Sequence, residues 1–321
     1  MTKPITLTLV VPCFNEEAVL PAAIEGLTGF IADMVGSGKV LAGSTVLFVD
    51  DGSTDKTWSI IAEAAAADQQ VSGIRLSRNR GHQNALLAGL FAATGEVVVS
   101  IDADLQDDIQ AIEAMLDAYA RGDDVVYGVR RQRPTDTPFK RLTAAGFYGL
   151  MRRLGANTIA DHADFRLMSQ RAIEALKSYR EVNLFLRGIV PLIGFRSSIV
   201  YYDRQTRMAG ESKYPFRKML EFAIDGITSF SSVPLRLITL TGFSVFLVTF
   251  VLLGWVMWTA LLTSNAAPGW ASTLVPLLLL GGVQILCLGV IGEYLAKMYI
   301  EIKARPRYLI AESVGLPGRE S

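Results

Sequence analysis

Charge is what the chain most conspicuously lacks. Of its 321 residues only 19% are Asp, Glu, Lys or Arg, against about 25% in an ordinary soluble domain. The deficit is local: none of these four residues occurs between Arg236 and Glu293, whereas residues 1–235 have an unremarkable soluble composition. The 31 basic residues balance the 31 acidic ones, so there is no basic excess of the kind a general nucleic-acid binder needs, and that class is excluded. Cysteine is scarce as well. Cys13 sits at a strand end and Cys287 in an apolar run, so a disulfide scaffold is excluded, and two Cys with two His (His82, His162) cannot build a structural zinc site of the usual spacing. Composition also rules out disorder and collagen-like repeats. No secretory signal is present: the apolar run Ile5–Val11 is too short and leads straight into Pro12 and the Glu16-Glu17 pair, which places the N-terminal part in the cytosol.

What is there is an alternation of two periodicities. Strand-like runs at Ile5–Val11, Thr45–Val49, Gly73–Leu76, Glu96–Ile101 and Asp124–Tyr127 alternate with helical patterns at Glu16–Val35, Asp55–Ala67, His82–Ala93 and Ile109–Ala120. That alternation predicts an α/β domain with a parallel sheet covered on both faces, in which ligands bind beyond the carboxyl ends of the strands. The polar clusters fall at those ends: Asn15-Glu16-Glu17, Asp50-Asp51-Gly52-Ser53 and Asp102-Ala103-Asp104.

Beyond residue 130 the pattern loosens. Residues 1–212 read as one cytosolic domain that ends in a basic loop, Arg204–Lys213. Residues 213–235 read as an amphipathic helix lying in a membrane interface, or else as an ordinary surface helix. Within 236–296, two uncharged runs, Leu237–Leu262 and Thr273–Gly292, each reach the roughly 20 residues that a membrane span requires. Arg236 on one side and Lys297, Lys303, Arg305 and Arg307 on the other put both ends in the cytosol. This predicts a two-helix hairpin in the inner (plasma) membrane, with residues 297–321 as a cytosolic tail.

Each motif has a plain structural reading. Asp102-Ala103-Asp104 could be a surface turn, but two carboxylates two residues apart at a strand end can converge on one hard cation, which would neutralise a diphosphate. Gln106 could add a neutral oxygen. Asp50-Asp51-Gly52-Ser53 is a strand–turn–helix junction with more acid than a helix cap needs, and its extra carboxylate would suit a base N–H or ribose hydroxyls. Glu16 and Glu17 suit a helix N-terminus by themselves, and His82, at a helix start, reads first as a packing or capping residue.

As a set these motifs resemble a known family. Pro12-x-x-Asn15-Glu16, Val49-Asp50-Asp51-Gly52-Ser53-x-Asp55, Arg78-Asn79-x-Gly81-His82-Gln83 and Asp102-Ala103-Asp104-Leu105-Gln106-Asp107 are similar to those of the inverting family-two glycosyltransferases with the GT-A (Rossmann-like) fold, which include dolichyl-phosphate mannose synthase. Asp164-Phe165-Arg166 and Gly210-x-Ser212-Lys213-Tyr214, followed by two apolar runs, resemble its bacterial branch, which moves a hexose onto undecaprenyl phosphate. The resemblance implies a UDP-sugar donor, glucose above all, and a polyisoprenyl-phosphate acceptor, with the product serving surface modification such as that of O-antigen in lipopolysaccharide. It further implies that Pro12, Asn15, Glu17, Asp50 and Asp51 hold the nucleotide and that Asp102, Asp104 and Gln106 hold Mg²⁺ or Mn²⁺ on the diphosphate. Arg207 and Lys213 would close over that diphosphate, Arg130 and Arg133 would meet the lipid phosphate, and Asp164 would sit beside the acceptor with Asp161 as its competitor. Partners implied are the donor, the lipid acceptor and membrane lipid, with a homo-oligomer allowed. Two alternatives stay open: the same chemistry with another nucleotide sugar, and a non-enzymatic membrane sensor of UDP-sugars. A processive synthase is disfavoured because no Gln-x-x-Arg-Trp motif occurs.

Overall fold

The structure is a computed structural model and describes residues 4–131, 162–182, 186–203 and 270–316, with scattered positions between 235 and 258. Two compact units are present. One comprises residues 1–148, 157–213 and 305–321, and the other residues 149–156 and 214–304.

The first unit is built on a mixed sheet of eight strands, β1 (Leu7–Cys13), β2 (Thr45–Asp50), β3 (Val71–Leu76), β4 (Val97–Ser100), β5 (Val125–Arg130), β6 (His162–Ser169), β7 (Ser197–Tyr202) and β8 (Ile310–Val314), in the order β7-β5-β6-β4-β1-β2-β3-β8. Strands β3, β2, β1 and β4 run parallel. They read as nearly unbroken apolar runs because both faces are covered, with Leu7, Leu9, Val11, Val46, Phe48, Val97 and Val99 all buried. The helices are α1 (Leu20–Gly36), α2 (Thr57–Ala67), α3 (His82–Ala92), α4 (Ala111–Ala120), α5 (Gln170–Lys177) and α6 (Leu186–Leu192). In α1 the buried Leu20, Ala23, Leu27, Phe30, Ile31 and Met34 recur at helical spacing and form the face that meets the sheet.

Two features depart from the all-parallel expectation. Strand β6 inserts between β4 and β5 and runs antiparallel to both. It therefore enters the sheet from the end where β4 exits, which delivers its first residues to the edge that gathers the polar clusters. At the opposite side, the segment expected to be a tail forms β8, antiparallel to β3.

The second unit contains α7 (Trp270–Ile302). The expected membrane spans are corrected here: among the described residues, no helix is long and apolar enough to cross a membrane. Most of Leu237–Leu262 lies outside the described residues. In α7 the run from Thr273 includes Pro276, Gly281, Gly282 and Gln284, and Glu293, Lys297 and Glu301 follow it in the last turns. Exposed apolar side chains such as Ile285, Leu286 and Leu288 do occur on it. The two transmembrane helices, and with them the multi-pass inner-membrane placement, do not stand. The interfacial helix expected at 213–235 lies almost wholly outside the described residues.

Candidate active site

The exits of β1 and β2 are stitched together by short polar side chains. Asn15 takes a left-handed backbone (φ 55°), a conformation its side chain tolerates through local hydrogen bonding. Its N–H donates to Ser53 Oγ (2.9 Å), and its Oδ1 accepts from Thr54 N–H (2.9 Å). Two residues on, Glu17 N–H donates to Asp55 (3.2 Å) while the Glu17 carboxylate accepts from Lys56 N–H (3.1 Å). Pro12 is buried inside β1, so it shapes this corner without facing it. Asp50 is likewise fully buried, with Oδ1 accepting from Ser53 N–H (3.0 Å).

Asp51 has a different task. Its two carboxylate oxygens accept from Arg80 N–H (2.7 Å) and Gly81 N–H (2.8 Å), which fastens the β3–α3 loop to the β2–α2 turn. Burial raises its pKa, with Asp50 adding to the rise and the two N–H donors and His82 opposing it. Gly52, at φ 69°, is required here: a Cβ would come within 2.6 Å of the Arg78 carbonyl carbon. The loop so fixed starts α3 at His82 and Gln83. Gln83 Oε1 accepts from Leu186 N–H (3.1 Å), so the start of α3 also anchors the start of α6.

At the exit of β4 the charges converge. His82 Nε2 lies 3.7 Å from Asp102 and 3.6 Å from Asp164. Asp164, on entering β6, is also paired with Arg166 (2.6 Å) and Arg187 (3.2 Å). Burial alone would favour the neutral acid, but the His82 imidazole and the guanidinium charges of Arg166 and Arg187 outweigh it and hold Asp164 far below the usual carboxylate range. His82 is pulled upward: burial opposes its protonation, and Asp164 and Asp102 overcome it. Asp102 moves the other way from Asp164. Loss of hydration raises its pKa, and the carboxylates of Asp107, Asp164 and Asp104 add to the rise against His82.

The Asp102–Asp104 loop thus carries negative charge that the chain compensates incompletely, which fits a cation with further ligands of its own. Among the described residues no three His, Cys, Asp or Glu side chains converge as a self-sufficient metal site. Two carboxylates completed by substrate oxygens and water are nonetheless a normal donor set for a small hard cation. Gln106 fits less well as a ligand: it is 3% exposed, and its buried Nε2 has no hydrogen-bond partner. Asp104 Oδ1 accepts from Gln106 N–H (3.2 Å), while Leu105 between them takes φ 47°, a conformation that costs a non-glycine residue roughly 1–2 kcal/mol.

Arg130 is engaged by side chains of its own domain. Its Nε donates to the Tyr202 hydroxyl (3.0 Å) and its Nη2 to Asp107 (3.1 Å), and Tyr202 itself donates to Asp107 (2.5 Å). Asp107 is buried, so this triangle braces the end of the Asp102–Asp107 loop against β5 and β7. Tyr202→Phe, which leaves the Asp107 carboxylate short of a donor, is expected to lower stability by about 1–3 kcal/mol, measurable by urea denaturation.

Comparison with known proteins matches residues 8–177 to the model of Glycosyl transferase family 2. The chain is also 50% identical over 306 residues to the uncharacterized glycosyltransferase YkoT of Bacillus subtilis (95% of this chain, 90% of that protein). The chain belongs to glycosyl transferase family 2. A prophage bactoprenol glucosyl transferase homolog of Escherichia coli is 40% identical (95% of this chain, 98% of that protein). The bactoprenol glucosyl transferase of Shigella phage SfII is also 40% identical (96% and 98%). Among solved structures, mannosyl-3-phosphoglycerate synthase from Rubrobacter xylanophilus gives a TM-score of 0.48 at 18% identity over 73% of this chain and 74% of that one, a likeness too distant to transfer residue roles.

The chain is accordingly a glycosyltransferase, as the motifs lead one to expect, and the sensor reading falls. Of the expected site residues of this family-two enzyme, Asn15, Glu17, Asp102, Asp104 and Asp164 face one sheet edge, while Pro12, Asp50 and Asp51 support it from within. Asp161, Arg133, Arg207 and Lys213 lie outside the described residues. His82, Arg166 and Arg187 surround Asp164, and neither arginine is among the expected site residues. Arg166 follows Asp164 by two residues, which on a strand places both side chains on one face and could have flagged it. Nothing in the sequence ties Arg187 to the site, because its place there depends on α6.

Proposed function

We propose that this enzyme transfers glucose from UDP-glucose to a polyprenyl phosphate such as undecaprenyl phosphate, with inversion at the anomeric carbon. The observation that carries the reading is the convergence of Asp102, Asp104, His82, Asp164 and Arg187 beyond the carboxyl end of β4. Its position beside the corner where β1 and β2 exit is the usual nucleotide-binding edge of such a sheet. The names of relatives 40% identical across the whole chain support glucose and the lipid acceptor.

In this reading Asn15 and Glu17 keep the β1–β2 corner open as the seat of the nucleotide, over the buried Asp50 and Asp51. Asp102 and Asp104 would hold a divalent cation, Mg²⁺ or Mn²⁺. When bound, it offsets charge on the donor diphosphate and on the departing UDP. The acceptor phosphate oxygen forms the new bond to the anomeric carbon as the bond to UDP breaks. A phosphate monoester has a second pKa of about 6 and is largely dianionic at neutral pH, so the nucleophile needs no strong base. Asp164, kept ionised by three cationic neighbours, is a poor proton acceptor, and its role is to hold Arg187 and His82 towards the reacting phosphates. Arg133, Arg207 and Lys213 remain candidates for additional phosphate contacts.

The test is to incubate the purified protein with radiolabelled UDP-glucose with and without undecaprenyl phosphate, and to follow label into the organic phase. The expected product is formed only with acceptor and releases glucose on mild acid treatment. Transfer from a different nucleotide sugar alone would change the donor assignment, and transfer to water alone would remove the acceptor assignment.

A further inference from the structure

Across the last three strands of the sheet runs a row of charges that the reaction scheme does not use. Asp50 on β2 stands opposite Arg75 on β3, and Arg75 stands opposite Glu312 on β8. Side chains paired in this way across neighbouring strands share a face and interact directly. Arg75 Nε lies 3.3 Å from Asp50 Oδ2, and its Nη1 donates to Glu312 Oε1 (2.9 Å). The other oxygen of Glu312 accepts from Trp58 Nε1 on α2 (3.0 Å).

The burial along this row is graded. Asp50 is fully buried, Arg75 is 34% exposed and Glu312 is 52% exposed. Among the described residues, Arg75 is the one cation within ion-pair distance of Asp50. A buried carboxylate without its counter-ion is costly, so the position of Asp50 depends on Arg75. Asp50 in turn is no bystander. It accepts from Ser53 N–H, Ser53 Oγ accepts from Asn15 N–H, and Asn15 accepts from Thr54 N–H. That chain of contacts is the β1–β2 corner itself.

Strand β8 is seated specifically enough to matter. Gly73 on β3 leaves room for Ile61, Trp58 and Val314, since a Cβ there would meet Ile61 at 2.4 Å and Val314 at 3.2 Å. Gly315, just past β8, sits at φ 68°, with a Cβ position 2.7 Å from the Val71 carbonyl oxygen. Both glycines fix how closely the C-terminal segment lies on the sheet, and hence where Glu312 meets Arg75.

We propose that Arg75 is a positioning residue for the donor nucleotide, held in register by Glu312 of the C-terminal strand and acting through Asp50 on the Ser53–Asn15 corner. The chain's C-terminal segment therefore contributes to donor affinity from the far side of β3, without touching the donor. This inference rests on the reading that the β1–β2 corner holds the nucleotide of a UDP-sugar.

The experiment uses the full-length protein, with steady-state transfer from UDP-glucose to undecaprenyl phosphate and calorimetric binding of UDP in the presence of Mn²⁺. Arg75→Met is expected to raise the KM for UDP-glucose and the Kd for UDP by about tenfold, with kcat within about twofold of the parent, because the uncompensated Asp50 displaces the corner. Adding Asp50→Asn to Arg75→Met is expected to restore most of the loss, since the amide oxygen still accepts from Ser53 N–H and no charge is left stranded. Glu312→Gln, on the exposed side of the row, should give about a threefold effect in the same direction. A purely structural role would lower the melting temperature and the active fraction while leaving KM and Kd alone. Parental KM and Kd in Arg75→Met, or in Glu312→Gln should Arg75→Met not fold, would overturn the proposal, as would failure of Asp50→Asn to rescue. A parent protein that neither binds UDP nor uses a UDP-sugar would instead overturn the underlying reading and take this inference with it.

Discussion

Replacing Asp164 by Asn is expected to cost about 3–5 kcal/mol of stability as well as nearly all transfer activity, because it strands a buried cation. Arg166 is 1% exposed, and among the described residues Asp164 is the anion within ion-pair distance of it, at 2.6 Å. The same substitution frees Arg187 and His82, which Asp164 holds at 3.2 and 3.6 Å. The effect has a pH signature whose sign follows from the depressed pKa. The folded carboxyl titrates below the unfolded value of about 4, so its contribution is complete above that value and erodes as pH falls further. Asp164→Asn should thus show a lower melting temperature at pH 7 and a shallower loss of stability below pH 4 than the parent. Equal melting temperatures at pH 7 would contradict the scaffold role.

The substitutions Asp102→Asn and Asp104→Asn should show the opposite pattern. Both residues belong to a loop with excess negative charge, and Asp102 is pushed towards its neutral form partly by the carboxylates around it. Neutralising either should leave the melting temperature of the metal-free protein unchanged or raise it. Activity should nevertheless fall by about a thousandfold, the scale on which losing one electrostatic contact to a developing charge acts. The stabilisation that the parent gains from Mn²⁺ and UDP together should disappear as well. The contrast between Asp164 and the Asp102–Asp104 pair, one severe for folding and the other silent, separates a residue that organises the site from residues that hold a ligand. Differential scanning fluorimetry with and without Mn²⁺ and UDP reads both.

Much of this arrangement is legible in the residues. The alternation of apolar runs with helical patterns locates β1 to β5 and α1 to α4, in several cases to within a residue or two. Buried parallel strands are continuous apolar segments, and Gly, Asp and Asn punctuate their ends. The acidic clusters at the exits of β1, β2 and β4 follow directly. What the sequence does not show is the insertion of β6. Nothing local in His162–Ser169 says that it slots antiparallel between β4 and β5, so the partners of Asp164 stay hidden although the Asp itself is visible. Likewise, the sequence places Asp50 and Asp51 at a strand exit but not their hydrogen bonds to Ser53, Arg80 and Gly81 N–H, because whether an acid there is buried against the loop depends on packing that no local pattern encodes. The short β8 is invisible for a similar reason. Five residues, Ile310 to Val314, carry no strong signal until Gly73 and Trp58 are seen to receive them. The apolar runs point in the other direction: an uncharged sequence of sufficient length reads as a span, whereas among the described residues no helix is long and apolar enough to cross a membrane.

The most direct test of the central claim is glucosyl transfer from UDP-glucose to undecaprenyl phosphate by the parent and by Asp104→Asn, each after chelation with EDTA and again after Mn²⁺ is restored. The account predicts transfer by the parent that EDTA abolishes and Mn²⁺ recovers, and no recovery in a folded Asp104→Asn protein. Transfer that is indifferent to EDTA, or an Asp104→Asn protein as active as the parent, would contradict it.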